Sequence, residues 1–434
     1  MTSRSIRHSQ GLSLRQNFAW NFVGNVVFAG CQWGVMVVLA KLTSPEKVGQ
    51  FALGLAITAP IIQFSQLQLR GVQATDARGE YDFGHYLALR LLTTGLALAG
   101  IWAVAAWGRY DLATAGIVLA IGCSKGIDSL KDVYYGLMQR HGRMDQIAKS
   151  RILGGLLALS ILGILIWTTR NLVVGIVGML AVQFAVWLIY DRGKAICLLR
   201  NVHNDTRVGR PRFDAKRLWQ LALLALPLGL VMTIISLNTN IPRYFLERYA
   251  GVAQLGIFAA LAYLIVAGNT LIMALGQAAL PRLANEYANG NQNKFRQILI
   301  WLVVIGMVVG AGGLVLAWLA GSWILTIVYG PEYAEYNHTF VLLMGVGAIQ
   351  YVSSFLGYGM TAARYFRAQL PLFASVGLTI LLVSYIAIPR WGLIGGAMAL
   401  LAGACCNIVG CAVVIAHAYR NLPHSMNENS HAEN

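Results

Sequence analysis

The stretch CSKGIDSLKDVYYG, residues 123–136, places Lys125, Asp128, Lys131 and Asp132 inside what hydropathy reads as a membrane crossing. As a loop, it would leave 113–122 too short to span and would move every later connection to the opposite side of the membrane. The most basic connection of the chain, 191–217 with eight Lys or Arg, would then lie outside. Lys and Arg favour cytoplasmic connections, so the stretch is read as helix and 113–138 as one continuous crossing.

Twelve such crossings are expected, near 17–39, 49–69, 86–107, 113–138, 151–168, 172–190, 218–240, 255–280, 298–320, 339–362, 370–388 and 393–418. Each run is long enough to cross a hydrocarbon core of about 30 Å as a helix. With 57% hydrophobic and 12% charged residues and a mean hydropathy of +0.61, the chain lies outside the range of soluble domains. The fold class is therefore all-α and polytopic. The net charge of +16 follows from the basic cytoplasmic connections, and no nucleic-acid module is visible. The six cysteines form no CxxC pair and have no histidine at ligand spacing, so neither a disulfide framework nor a metal site is expected.

The polar connection 191–217 divides the chain into an N-lobe, 17–190, and a C-lobe, 218–419, between polar tails 1–16 and 420–434. VGQFALGLA at 48–56 is echoed by LGIFAALA at 255–262, so that Gly49 and Phe51 recur as Gly256 and Phe258 at the start of the second crossing of each lobe. Six crossings per lobe is an even number. Both lobes then enter the membrane in the same sense, related by a pseudo-two-fold axis along the membrane normal, as in many transporters. Both chain ends fall on the cytoplasmic side.

At 100° per residue, Lys125, Asp128, Lys131 and Asp132 share an arc of about 120° with Ser124 and Tyr135. Each charge near the middle of a crossing costs about 2.5–3.5 kcal/mol, or about 10 kcal/mol for four. The charged face must therefore meet protein or water. Lys125 lies about 18 Å below the far end by helix rise, deep enough for the wall of a hydrated chamber. The bland alternative is that the charges pair among themselves and fasten the bundle. Asn21 and Asn25 in the first crossing, Gln66 and Arg70 in the second, and Asn240 and Arg243 in and beyond the seventh continue the pattern, pointing to one polar chamber between the lobes. Asp128 and Asp132 are the candidate proton carriers.

LAKLTSPEKVGQFALGLAI (39–57), IPRYFLERYAGVAQLGIFAALAYL (241–264), ALPRLANEYANGN (279–291), VYGPEYAEY (328–336) and IPRWGLIGGAMAL (388–400) resemble the oligosaccharide flippases of the multidrug/oligosaccharidyl-lipid/polysaccharide exporter superfamily. The resemblance implies a two-lobe transporter of the bacterial inner membrane. It would move undecaprenyl-diphosphate-linked oligosaccharide by alternating access, for cell-surface polysaccharide or O-antigen synthesis. It also implies an H⁺ or Na⁺ gradient in place of a cofactor, and partnership with membrane lipids and with polymerase or glycosyltransferase machinery. The basic groups that match a diphosphate-binding chamber by position are Arg70, Arg90, Lys125, Lys131, Arg140 and Arg243. No G-x-x-x-x-G-K-[ST] loop occurs, so nucleotide hydrolysis is not expected. A multidrug exporter of the same superfamily is the nearest rival, and it should carry an acidic, aromatic site. A glycan polymerase or ligase would be an enzyme needing a sizeable external loop, and the longest external connection is about 18 residues.

Overall fold

Helices account for nearly all of the ordered chain in the computed structural model, which describes residues 12–420 apart from 77–78, 109 and 203–208. The tails expected at 1–16 and 420–434 lie outside the described residues except for 12–16 and Arg420, as do 203–208 of the expected linker. The helices are α1 (Leu14–Leu42), α2 (Pro45–Gln66), α3 (Leu69–Thr75), α4 (Phe83–Trp107), α5 (Leu112–Arg140), α6 (Met144–Thr169) and α7 (Leu172–Val186). A π turn (Trp187–Asp191) joins α7 to α8 (Arg192–Val202). The second half holds α9 (Ala215–Ala250), α10 (Val252–Ala288), α11 (Gln292–Val328), α12 (Pro331–Ala334), α13 (Asn337–Ala362) and α14 (Phe366–Arg420).

Eleven of the helical stretches are long and apolar enough to cross a membrane. The last does so twice. Gly392 leaves the helical conformation at φ +53°, a region open to glycine, and the chain reverses there. Gly395 then packs on Ala387, Gly403 on Ile380 and Gly410 on Leu372, so the two arms run antiparallel. Twelve crossings result, and the protein is an all-α, multi-pass membrane protein. Residues 14 and 420 stand on the same side, called here the terminal side.

Local chemistry sets the helix ends. Ser13 and Gln16 form a reciprocal capping box on α1, and Pro45 opens α2, where its missing N–H costs nothing. The second crossing ends three residues earlier than expected, at Gln66. Leu67 and Gln68 both adopt left-handed conformations (φ +49° and +51°), which no helix can continue. Arg70 therefore leaves the axis of α2 and sits on the short α3. Among the helices that outrun their expected crossings, α9 continues to Ala250, carrying Arg243 inside a helix, and α7 passes through its π turn into α8. α5 is unbroken from Leu112 to Arg140, through Cys123.

The packing of the first half recurs in the second. α1 packs on α6 as α9 packs on α14; α2 packs on α4 and α5 as α10 packs on α11 and α13; α4 packs on α5 as α11 packs on α13. The halves meet chiefly where α2 crosses α10, and at α2–α9 and α1–α10, contacts that exchange under a two-fold rotation. The crossing point is the repeated glycine pair. A Cβ on Gly49 would land on the Val252 carbonyl, and one on Gly256 would land on the Pro45 carbonyl and lie 3.0 Å from the Gly49 Cα. Apolar lipid gives helices no hydrophobic reason to associate, so backbone approach through small residues supplies the attraction.

One apolar core fills the far-side half of both lobes. It joins Val35, Met36 and Leu39 of α1, Phe51 and Leu53 of α2, Ile117 and Ile121 of α5, and Leu255, Phe258 and Leu261 of α10, and it continues down α10 and α11. Toward the terminal side separate clusters take over. One packs α4, α5, α8 and the first turns of α9 around Tyr86, Val133, Met138 and Leu221. Another packs α13 and α14 around Met360, Val376 and Cys411.

Candidate functional site

The charged face of α5 turns into the first half, where every one of its charges has a partner. Asp132 takes two arginines: Arg90 Nη2 of α4 at 3.1 Å and Arg70 Nη1 of α3 at 3.7 Å. Arg90 is 0% exposed and also donates to Ser129 Oγ at 3.4 Å, while Arg70 Nε donates to Gln139 Oε1 at 2.9 Å. Lys125 and Asp128 pair at 3.4 Å one turn apart, each about a third open. Lys131 does not pair with Asp128. It reaches Asp191 of the π turn at 3.7 Å, with 7% of the lysine side chain and none of the aspartate exposed.

Tyr135 is the hub. Its ring has the Arg70 and Arg151 guanidinium carbons each 5.7 Å from its centroid and the Lys131 ammonium at 6.0 Å, and its hydroxyl exchanges a hydrogen bond of 2.8 Å with Ser150 Oγ. Cations over an aromatic face are attracted by its negative quadrupole. Arg151 also donates to Asn25 Oδ1, and Asn25 Nδ2 donates to Asn21 Oδ1 at 3.3 Å, which ties α1 into the cluster. Five cations, Arg70, Arg90, Lys125, Lys131 and Arg151, face three carboxylates, Asp128, Asp132 and Asp191, leaving a surplus of two positive charges.

Several expected positions are corrected by this geometry. Arg90 and Lys131 do not line open space: both are sealed against carboxylates, because a buried cation without an acid costs more than the pair. Arg140 is not in the chamber either. It lies 4.0 Å from Asp76, in the turn that follows α3. Asp76 accepts the N–H groups of Gly79 and Glu80 at 2.9 and 3.0 Å; burial raises its pKa, but these bonds and Arg140 hold it below the usual carboxylate value. Asp132, one of the two candidate proton carriers, faces two guanidiniums. Gln66 is half-buried at the end of α2 and takes no part in the network.

Asn240 and Arg243 do not join the other stripes. They belong to a second site, a cavity of about 560 Å³ inside the second half, enclosed by α9, α10, α13 and both arms of α14. Arg243 lines it and donates to Asn240 Oδ1 at 3.2 Å, while Asn240 itself is buried and donates to the Ser236 carbonyl. The remaining polar lining is neutral, with Asn238, Asn269, Gln350, Gln369 and Asn407 and the hydroxyls of Ser353 and Ser354 among it. No Asp or Glu lines this cavity among the described residues, and no carboxylate pairs with Arg243.

A family model described as "Polysaccharide biosynthesis protein" matches residues 14–286. The chain belongs to that family. A relative of this polysaccharide biosynthesis protein, the capsular polysaccharide biosynthesis protein CapF of Staphylococcus aureus, is 27% identical over 389 residues, covering 88% of this chain and 94% of CapF. Among solved structures, the fold is similar to a multidrug resistance MATE family transporter of the MOP superfamily in its inward-facing conformation, with a TM-score of 0.64, 17% identity and 95% of each chain covered. It is also similar to a MOP superfamily transporter from Pyrococcus furiosus distinguished by the reverse polarity of its binding pocket, with a TM-score of 0.60, 15% identity, and 97% and 98% covered. The fold is thus that of the MOP transporters.

Sequence reasoning missed two residues of the first site. Arg151 stood at the boundary of an expected crossing, and Asp191 at the first position of an expected linker. The π turn, which adds a residue to the helical repeat and turns Asp191 inward, leaves no sequence signature. Removing one partner from the sealed pair has a large expected effect on stability. Arg90→Met should cost about 1.5–3 kcal/mol in thermal unfolding followed in detergent, the charge-assisted bond being lost while Arg70 still faces Asp132.

Proposed function

We propose that this polysaccharide biosynthesis protein exports a lipid-linked oligosaccharide of the undecaprenyl-diphosphate type across the bacterial inner membrane, by alternating access and driven by an H⁺ or Na⁺ gradient. The observation that carries this reading is Arg243, a cation without a carboxylate in a cavity otherwise walled by amides, hydroxyls and apolar groups. Guanidinium forks suit phosphate oxygens, and amides and hydroxyls suit sugar hydroxyls. The cationic surplus around Tyr135 adds a second attraction for an anionic head, and the lipid tail can stay in the bilayer.

The positive-inside bias supports a cytoplasmic location for both chain ends. With that sidedness, the shared core and the Gly49–Gly256 crossing on the far side support a cytoplasm-facing conformation. A rival export of organic cations would ask for carboxylates in the cavity, and the lining holds none. The test is a vesicle assay with lipid-linked oligosaccharide, scored by protection of the sugar from an external probe, with and without an imposed ion gradient. Gradient-dependent loss of protection is expected. Equal movement in empty vesicles, or movement of organic cations alone, would reject the reading.

A further inference from the structure

The Lys131–Asp191 contact is the most deeply buried ion pair of the first site, with 7% of the lysine side chain and none of the aspartate exposed. Both side chains have lost their water, the N–O distance is 3.7 Å, and neither oxygen of Asp191 has a hydrogen bond of good geometry, although the Lys131 ammonium and the Ser150 hydroxyl stand near. A buried carboxylate is normally supplied with two or three donors, and an exception calls for a physical reason. The backbone is irregular at the same place: the π turn Trp187–Asp191 interrupts the helix that would otherwise run from α7 into α8. Such turns frequently occur at functional sites.

The surroundings give Asp191 a route on each side. On the terminal side the next residue, Arg192, is exposed. On the interior side lies Ser150, whose hydroxyl shares its hydrogen bond with Tyr135, and beyond it the partly open Asp128. The charged and titratable groups facing Asp191 are Lys131, Asp128, Tyr134 and Tyr135 from α5, and Tyr190 and Arg192 beside it in the chain. Arg151 of α6 meets it across Tyr135.

We propose that Asp191 is the proton-binding group through which a pH gradient drives export, with Lys131 as its counter-charge; the inference rests on the transport reading above. When the interior opens to the far side, a proton passes by Ser150 and Tyr135 to an Asp191 oxygen, giving a neutral carboxyl and releasing Lys131. When the far side closes, the proton leaves past Arg192 toward the terminal side and the ionised pair re-forms, as in the conformation described here. One proton enters from the far side and one leaves on the terminal side per cycle, opposite in direction to the exported head group.

The experiment compares Asp191→Asn with the parent in the same vesicles, in two modes: exchange of lipid-linked oligosaccharide without a gradient, and net export under an imposed pH gradient. Asp191→Asn should lose the acceleration by the gradient, read as the ratio of its own rates with and without the gradient, whatever its exchange rate. A variant that keeps the full acceleration overturns the inference. Failure of the parent to exchange at all would instead sink the transport reading, so the two failures are distinct. Should Asp191→Asn fold poorly, the apolar pair Lys131→Met with Asp191→Leu removes both charges together, and the same loss of acceleration is expected. Infrared difference spectra provide a readout independent of transport: a protonated-carboxyl band that appears on acidification should vanish in Asp191→Asn, and its persistence would also overturn the assignment.

Discussion

Arg243→Gln should abolish most export while leaving the protein at least as stable as the parent. On the proposed reading Arg243 serves the ligand and not the fold, so the two effects have opposite signs. In the empty protein its guanidinium has one amide oxygen, at 3.2 Å, and no acid, so removing the charge relieves a desolvation cost. With an anionic head bound, the same substitution removes charge-assisted hydrogen bonds worth about 1.5–3 kcal/mol each, or about 10- to 150-fold in affinity for a single bond. Arg243→Lys keeps the charge but not the planar fork, and should fall between the two. Transport and thermal unfolding measured on the same preparations decide the matter. Loss of stability in parallel with loss of transport would make Arg243 a structural residue. Improved export of an organic cation would favour the drug-exporter rival.

The second large effect is expected at the crossing of α2 and α10. Gly49→Ala and Gly256→Ala each place a methyl where the opposing backbone already stands, so the lobes must part on the far side. Backbone cannot yield as a flexible side chain does, and a cost of about 1–3 kcal/mol to the closed form would shift its population about 5- to 150-fold. A cysteine introduced at Ala52, which is buried in the shared core, in a protein whose six native cysteines have been replaced, should then react with a membrane-impermeant maleimide added on the far side. Because both glycines serve one contact, the double variant should label little faster than either single one. Labelling at the parental rate in both single variants would remove this contact from the closing mechanism.

The fold was legible because its signals are long and repeated. Twelve apolar runs, their basic connections and the glycine-phenylalanine echo need no knowledge of side-chain partners, and the unbroken course of α5 followed from the side of the membrane that 191–217 must occupy. The candidate site was legible only in part. The arc of about 120° correctly grouped the charges of α5, but periodicity does not say which partner a charge will take. Lys131 has Asp128 one turn away and chooses Asp191, sixty positions along the chain, through a π turn. Arg70 left its expected face because two non-glycine residues in left-handed conformation end α2 early. Arg243 was expected to share a chamber with Arg70, yet the helix that carries it packs its polar face into its own half.

The contact at Gly49 and Gly256 presents the same surface from both sides, as the interface of a symmetric dimer does. A six-helix chain bearing one such glycine can dock on a copy of itself by this face, and joining two copies end to end leaves the docking intact. Within one chain the halves are free to differ, one with ionic groups around Tyr135 and the other with Arg243 among amides. On the proposed reading, the asymmetry of the chain is a division of labour that identical subunits are denied.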